Sequence, residues 1–147
     1  FSKFEAERLI LEAEKNGLKA NIFRLGNLMA RHSDGQFQKN KLDNAYYCRL
    51  IALAKLGCLP NTLINQQLEF TPIDDASLAV VKLLTIPNLS NKIFHIFTNK
   101  LISINVLLNV LSRLGNNCRF VDYDDFMKIL YSKENEKLLA LIVSDIS

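Results

Sequence analysis

The chain has 147 residues, 49% of them hydrophobic, and a formal net charge of +3. That bounds it at one domain, or one part of a larger one, with enough apolar content to bury a core. Its Lys and Arg residues are scattered, without a basic run or interleaved aromatics, which argues against a nucleic-acid partner. No apolar run approaches the roughly 20 residues of a bilayer-spanning helix, so no membrane partner is expected.

The sequence opens on Phe1-Ser2-Lys3-Phe4-Glu5-Ala6-Glu7-Arg8-Leu9-Ile10, without a methionine. Phe4, Leu9, Ile10 and Ala13 already repeat at helical spacing with no capping residue before them. The expectation is a fragment that starts inside a helix. That helix runs to about Asn16, with Gly17 at the position where a positive φ ends it. Its Glu5, Glu7, Glu12 and Glu14 read as a solvated face. Residues 20–25 read as a short apolar strand ended by Gly26-Asn27. Helix, glycine, strand is a unit that favours a parallel sheet covered by helices. Within the strand, Arg24 reads as one half of a buried ion pair or as a ligand contact.

Residues 31–41 form a polar loop with a turn at Asp34-Gly35, and long loops at strand ends often carry function. A helix is expected over 42–56, with Tyr46, Leu50, Leu53 and Leu56 on one face and Gly57 as its stop. Residues 58–67 read as irregular and 68–70 as a short extended piece. A third helix spans 76–84, capped by Asp74 or Asp75, and Pro87-Asn88 breaks the chain after it. A strand follows over 93–97, where His95 reads as a buried or half-buried strand histidine. Ser103 caps a fourth helix with Ile104, Leu107, Leu108, Leu111 and Leu114 on its apolar face, and Gly115 ends it. A last strand over 118–122 precedes helices at 124–131 and 134–143.

Cys48, Cys58 and Cys118 are odd in number and widely spaced. They predict a reducing, cytoplasmic setting rather than a disulfide framework or a zinc site. His32 and His95 lack the spacing of a metal pair, and no metal is expected.

Ser2-Lys3-Phe4-Glu5-Ala6-Glu7 followed by Phe23-Arg24-Leu25-Gly26-Asn27-Leu28 resembles the second half of an extended short-chain dehydrogenase/reductase. Four further segments carry the resemblance. They are Arg31 with Ser33-Asp34-Gly35, Phe70-Thr71-Pro72-Ile73-Asp74, Phe94-His95-Ile96, and Leu114-Gly115 with Val121-Asp122-Tyr123. The order of these segments is most similar to the thioester reductase domains that end nonribosomal peptide synthetases. Fatty acyl-CoA reductases belong to the same male-sterility family. The implied fold is α/β: the C-terminal part of an extended Rossmann-like enzyme with a small, mostly helical substrate-binding subdomain. The implied division puts residues 1–30 at the end of the Rossmann-like core. Residues 31–147 would be mainly substrate-binding, with returning core strands, and the N-terminal dinucleotide-binding half would be absent.

The resemblance also assigns roles. Lys3 would be the catalytic, cofactor-binding lysine of a Tyr-x-x-x-Lys pair whose tyrosine lies before Phe1. A fixed cation one helical turn from a phenol favours the phenolate. Gly26, Asn27 and Leu28 would bring backbone close to the nicotinamide, as a glycine permits, although a strand-ending turn explains Gly-Asn equally well. Arg31 would contact substrate, with the cofactor as the alternative. The implied cofactor is NADPH, bound mostly by the absent half. The implied partners are a carrier protein bearing a phosphopantetheine thioester and the rest of the synthetase chain. The parent would release the thioester as an aldehyde or alcohol, with the fragment itself inactive. A sugar-nucleotide epimerase or dehydratase, and a non-catalytic carrier-docking module, stand as alternatives.

Overall fold

The computed structural model describes residues 2–132. In chain order the elements are α1 (Ser2–Lys15), β1 (Asn21–Leu25), β2 (Leu28–Met29), α2 (Ala45–Leu56), β3 (Cys58–Pro60), β4 (Gln67–Leu68), β5 (Thr71–Pro72) and α3 (Ile73–Leu84). They continue with β6 (Lys92–Ile96), β7 (Ile102–Ser103), α4 (Ile104–Arg113), β8 (Arg119–Val121) and α5 (Tyr123–Leu130). The helix expected over 134–143 lies outside the described residues.

The chain divides into two compact units. One comprises Phe1–Gln36 with Glu69–Asn99, and the other Phe37–Leu68 with the chain from Lys100 onward. In the first unit β1 and β6 pair in parallel over five residues, from Asn21 opposite Lys92 to Leu25 opposite Ile96. Phe23 and Phe94 face each other in this register, and their rings stack with centroids 5.4 Å apart. Parallel strands need a long crossover between them, which here contains α3. β2 pairs in parallel with β5, Leu28 opposite Thr71. The expected parallel α/β unit is therefore present. α1 ends as foreseen, with φ 95° at Gly17.

Several local readings need correction. Glu7 does more than face solvent: its carboxylate takes the Arg24 guanidinium at 2.6 Å and ties α1 to β1. The pair is surface-exposed rather than buried, with 45% of the Arg24 side chain accessible. The guanidinium holds the Glu7 carboxyl below its ordinary pKa range. Glu5 and Glu12 do sit on the surface, both bonded to Arg8. His95 is exposed, and its register position opposite Arg24 puts its Nε2 3.5 Å from that guanidinium.

In the second unit the segment read as irregular hides a strand. Cys58, Leu59 and Pro60 are all buried as β3 and pair in parallel with β8. Three residues are too few for a periodicity to register, and Pro60 disguises the run. β4 and β7 pair antiparallel. α2 starts at Ala45, later than expected, because the Asn44 side chain accepts the Tyr47 N–H at 2.8 Å and caps it there. Its buried positions are Cys48, Ala52 and Ala54. Ala52, Cys58, Phe126 and Leu130 form the core, with Leu53, Leu56, Val121 and Met127 packed against it. Small residues on α2 thus let α5 and β3 approach. Ser103 precedes α4 but makes no side-chain cap, and Leu114 is 71% exposed rather than part of the buried face.

Leu59 is 2% exposed at the centre of β3. Leu59→Ala is expected to cost about 2–5 kcal/mol in urea unfolding, since the methylenes leave a cavity that a short strand cannot collapse. Val106→Ala, on an open face of α4, should change stability by less than about 0.5 kcal/mol.

Candidate functional site

The carboxyl ends of β1 and β6 lie side by side. Beyond the last ladder pair, the Gly26 N–H donates to the Ile96 carbonyl at 2.9 Å. Two residues later Leu28 is paired with Thr71 instead. The chain therefore changes partner strand between Leu25 and Leu28, and Gly26-Asn27 is the step between two ladders. The Asn27 carbonyl accepts the Thr71 N–H at 2.9 Å. Its own N–H falls between the ladders and goes to the Glu69 carboxylate at 2.6 Å.

Glu69 does more than satisfy that donor. Its other carboxylate oxygen accepts the Thr71 hydroxyl. Thr71 is buried at 3% exposure, and its Oγ1 in turn accepts the Thr98 N–H at 2.9 Å. A Cβ on Gly26 would lie 2.7 Å from both Glu69 oxygens and 2.8 Å from the Phe97 Cβ. Gly26 thus serves close approach, as the sequence suggested, but the approaching groups in this structure are Glu69 and Phe97. A turn requirement is not the reason, since Gly26 is not among the positive-φ glycines. Leu28 already belongs to the next strand, β2.

Asp74 holds the loop that follows. Its carboxylate accepts one first-turn N–H of α3, that of Asp75 at 3.1 Å, as foreseen, although the N-cap position itself is Pro72, which makes no side-chain cap. Asp74 reaches across to accept the backbone N–H groups of His32 at 2.9 Å and Ser33 at 3.1 Å. These donors, His32 foremost, hold its carboxyl far below the usual carboxylate range. The loop closes on itself as well. Gly35 N–H donates to the Arg31 carbonyl and Arg31 N–H to the Gln36 carbonyl, each at 2.9 Å. The Arg31 guanidinium meets Asp34 at 2.6 Å, so its nearest charge partner is internal.

Lys3 is exposed on the first turn of α1, and Asn27 is exposed at the strand step. No described side chain bridges Lys3 to Gly26, Asn27, Leu28 or Arg31. Sequence reasoning missed Glu69 altogether. Its one signal was a lone carboxylate in the apolar run Leu68-Glu69-Phe70, immediately before Thr71-Pro72.

Parallel strands with aligned carboxyl ends, flanked by helices, define an α/β protein with a Rossmann-like arrangement. The NAD-binding family described as "Male sterility protein" matches residues 1–80, and the chain belongs to that family. It is 31% identical over 141 residues to the nonribosomal peptide synthetase asaC of Aspergillus flavus, covering 93% of this chain and 13% of that protein. A thiolation-reductase di-domain from an archaeal nonribosomal peptide synthetase superposes with a TM-score of 0.86 at 34% identity, covering 99% of this chain and 31% of that one. The reductase domain of the aureusimine biosynthetic cluster gives 0.75 at 25% identity, over 95% and 37% of the two chains. The chain thus spans well under half the length of each. Among the described residues no helix is long and apolar enough to cross a membrane.

Gly26→Ala is expected to cost about 1–3 kcal/mol, because the added methyl is driven into the Phe97 Cβ and a held carboxylate. In a Glu69→Ala background the same change should cost less in urea unfolding, but not zero, since Phe97 remains. Acid titration reads Asp74. Its folded pKa is depressed, so its contribution is complete above the ordinary value of 3.8 and is lost as pH falls from there toward the folded value. The urea-midpoint difference between wild type and Asp74→Asn should therefore be constant near neutrality and shrink between about pH 5 and pH 2.5.

Proposed function

We propose that the chain is part of an NADPH-dependent thioester reductase that releases a carrier-bound acyl or peptidyl chain as an aldehyde or alcohol. The observation carrying this reading is the close likeness, over nearly all of its length, to part of an archaeal thiolation-reductase di-domain. A carrier protein with a phosphopantetheine thioester is the partner this reading requires, in a cytoplasmic synthetase chain.

The residues here suit the nicotinamide end of the cofactor only. The strand step at Gly26-Asn27 sits at the carboxyl rim of two parallel strands, where ligands of open α/β sheets bind. Asn27 is exposed there, and Leu28 offers a half-buried apolar side chain. No Gly-x-Gly-x-x-Gly loop occurs in the sequence to cradle a pyrophosphate, so that contact falls to chain outside these residues. When bound, the cofactor supplies hydride. Lys3 holds the ribose and, as a fixed cation, lowers the pKa of a tyrosine one helical turn away. Arg31 faces substrate from a loop whose backbone Asp74 fixes. Apolar side chains left open in the first unit, including Phe4, Leu9, Leu25, Ile93 and Phe97, support a reading in which further chain covers them. This division of labour makes the isolated chain inactive.

Lys3→Ala in the full natural chain tests the assignment. Cofactor oxidation with a carrier-bound thioester is expected to fall by about 10²–10⁴-fold. The melting temperature should not change, because Lys3 is exposed. Retained activity would refute the role of Lys3.

A further inference from the structure

We propose that Glu69 is a positioning residue for cofactor, setting where the Gly26-Asn27-Leu28 backbone stands. The inference rests on the reading that this strand end faces the nicotinamide. Three facts carry it. The Asn27 N–H is the donor left over where the chain passes from the β6 ladder to the β5 ladder, and Glu69 takes it at 2.6 Å. The second oxygen of Glu69 is anchored by the Thr71 hydroxyl, itself buried and joined to the Thr98 N–H. Gly26 leaves room for the carboxylate, since any Cβ there would lie 2.7 Å from it. Glu69 thus joins the end of β1 to the start of β5, and through the Thr71 hydroxyl to the backbone beyond β6.

A carboxylate is suited to the task. It accepts two donors at once, and charge-assisted bonds are shorter and stronger than neutral ones. An unpaired N–H at that step would otherwise need water or a ligand. Glu69 is half-buried and forms no ion pair among the described residues, so its described partners are all donors of this junction. Its effect on the reaction passes through the backbone it holds, with no contact to substrate required.

The test uses steady-state kinetics of the full natural chain with NADPH and a phosphopantetheinyl thioester. Glu69→Asp shortens the reach by one methylene, and a misplacement near 1 Å costs about 10²-fold in reactive geometry. The expected result is a cofactor KM raised about fivefold or more and a kcat lowered about tenfold or more, with the thioester KM within about twofold. Glu69→Gln keeps an acceptor for the Asn27 N–H while its amide donates to the Thr71 oxygen. It should return both constants to within about threefold of wild type. Native cofactor KM and kcat in Glu69→Asp would overturn the proposal, as would an equal rise in both KM values. If Glu69→Asp does not fold, Thr71→Val carries the test: it frees one Glu69 oxygen and is expected to raise the cofactor KM alone, and a native value overturns the proposal. Nuclear Overhauser contacts between the nicotinamide protons and the Leu28 methyls of wild type separate the two failures. Their absence sinks the underlying reading together with the Glu69 role. Their presence beside an unaffected Glu69→Asp sinks the Glu69 role alone.

Discussion

The first unit depends on a change of partner. β1 pairs with β6 for five residues, and the same run of chain then pairs with β5. A backbone that passes from one parallel neighbour to another must leave a donor or acceptor between the ladders. Burying such a group unpaired costs about 1–3 kcal/mol. Here the carbonyl of Asn27 finds Thr71 and its N–H finds Glu69. That solution explains why position 26 has no side chain, why position 69 is acidic in an apolar run, and why Thr71 is buried. Three residues that looked unrelated in sequence answer one geometric need.

The longer elements were legible because their signals are local. The 3.6-residue spacing from Phe4 onward, the glycine at 17, and the apolar run from Ile22 to Leu25 each fix an element within a residue or two. The chain order of helix, strand, loop and returning strand also carried the family. What stayed hidden was non-local or too short. β3 has three residues and includes a proline, so burial against β8 alone makes it a strand. Asp74 sits where helix caps sit and accepts the Asp75 N–H there, yet its other partners are the amides of residues 32 and 33, more than forty positions away. Glu7 carries the same lesson: a glutamate on a charged helix face is solvated by default, and only the fold brings Arg24 to it.

Within the candidate site, the five residues singled out from sequence are not all alike in their surroundings. Gly26, Asn27 and Leu28 are one continuous, internally braced strand step. Arg31 belongs to a closed turn pinned by Asp74 and is neutralised locally by Asp34. Lys3 stands alone on the exposed first turn of α1. The two carboxylates that organise the region, Glu69 and Asp74, both accept backbone amides, so their negative charge is spent on fixing main chain.

Product analysis tests the account most directly. The full natural chain would be incubated with NADPH and an acyl thioester on its phosphopantetheinylated carrier protein, and the released compound identified by mass spectrometry. The account predicts an aldehyde or alcohol, released only with the reduced cofactor and in step with its oxidation. Release of the free acid, or a carrier that stays loaded while cofactor is present, would contradict it.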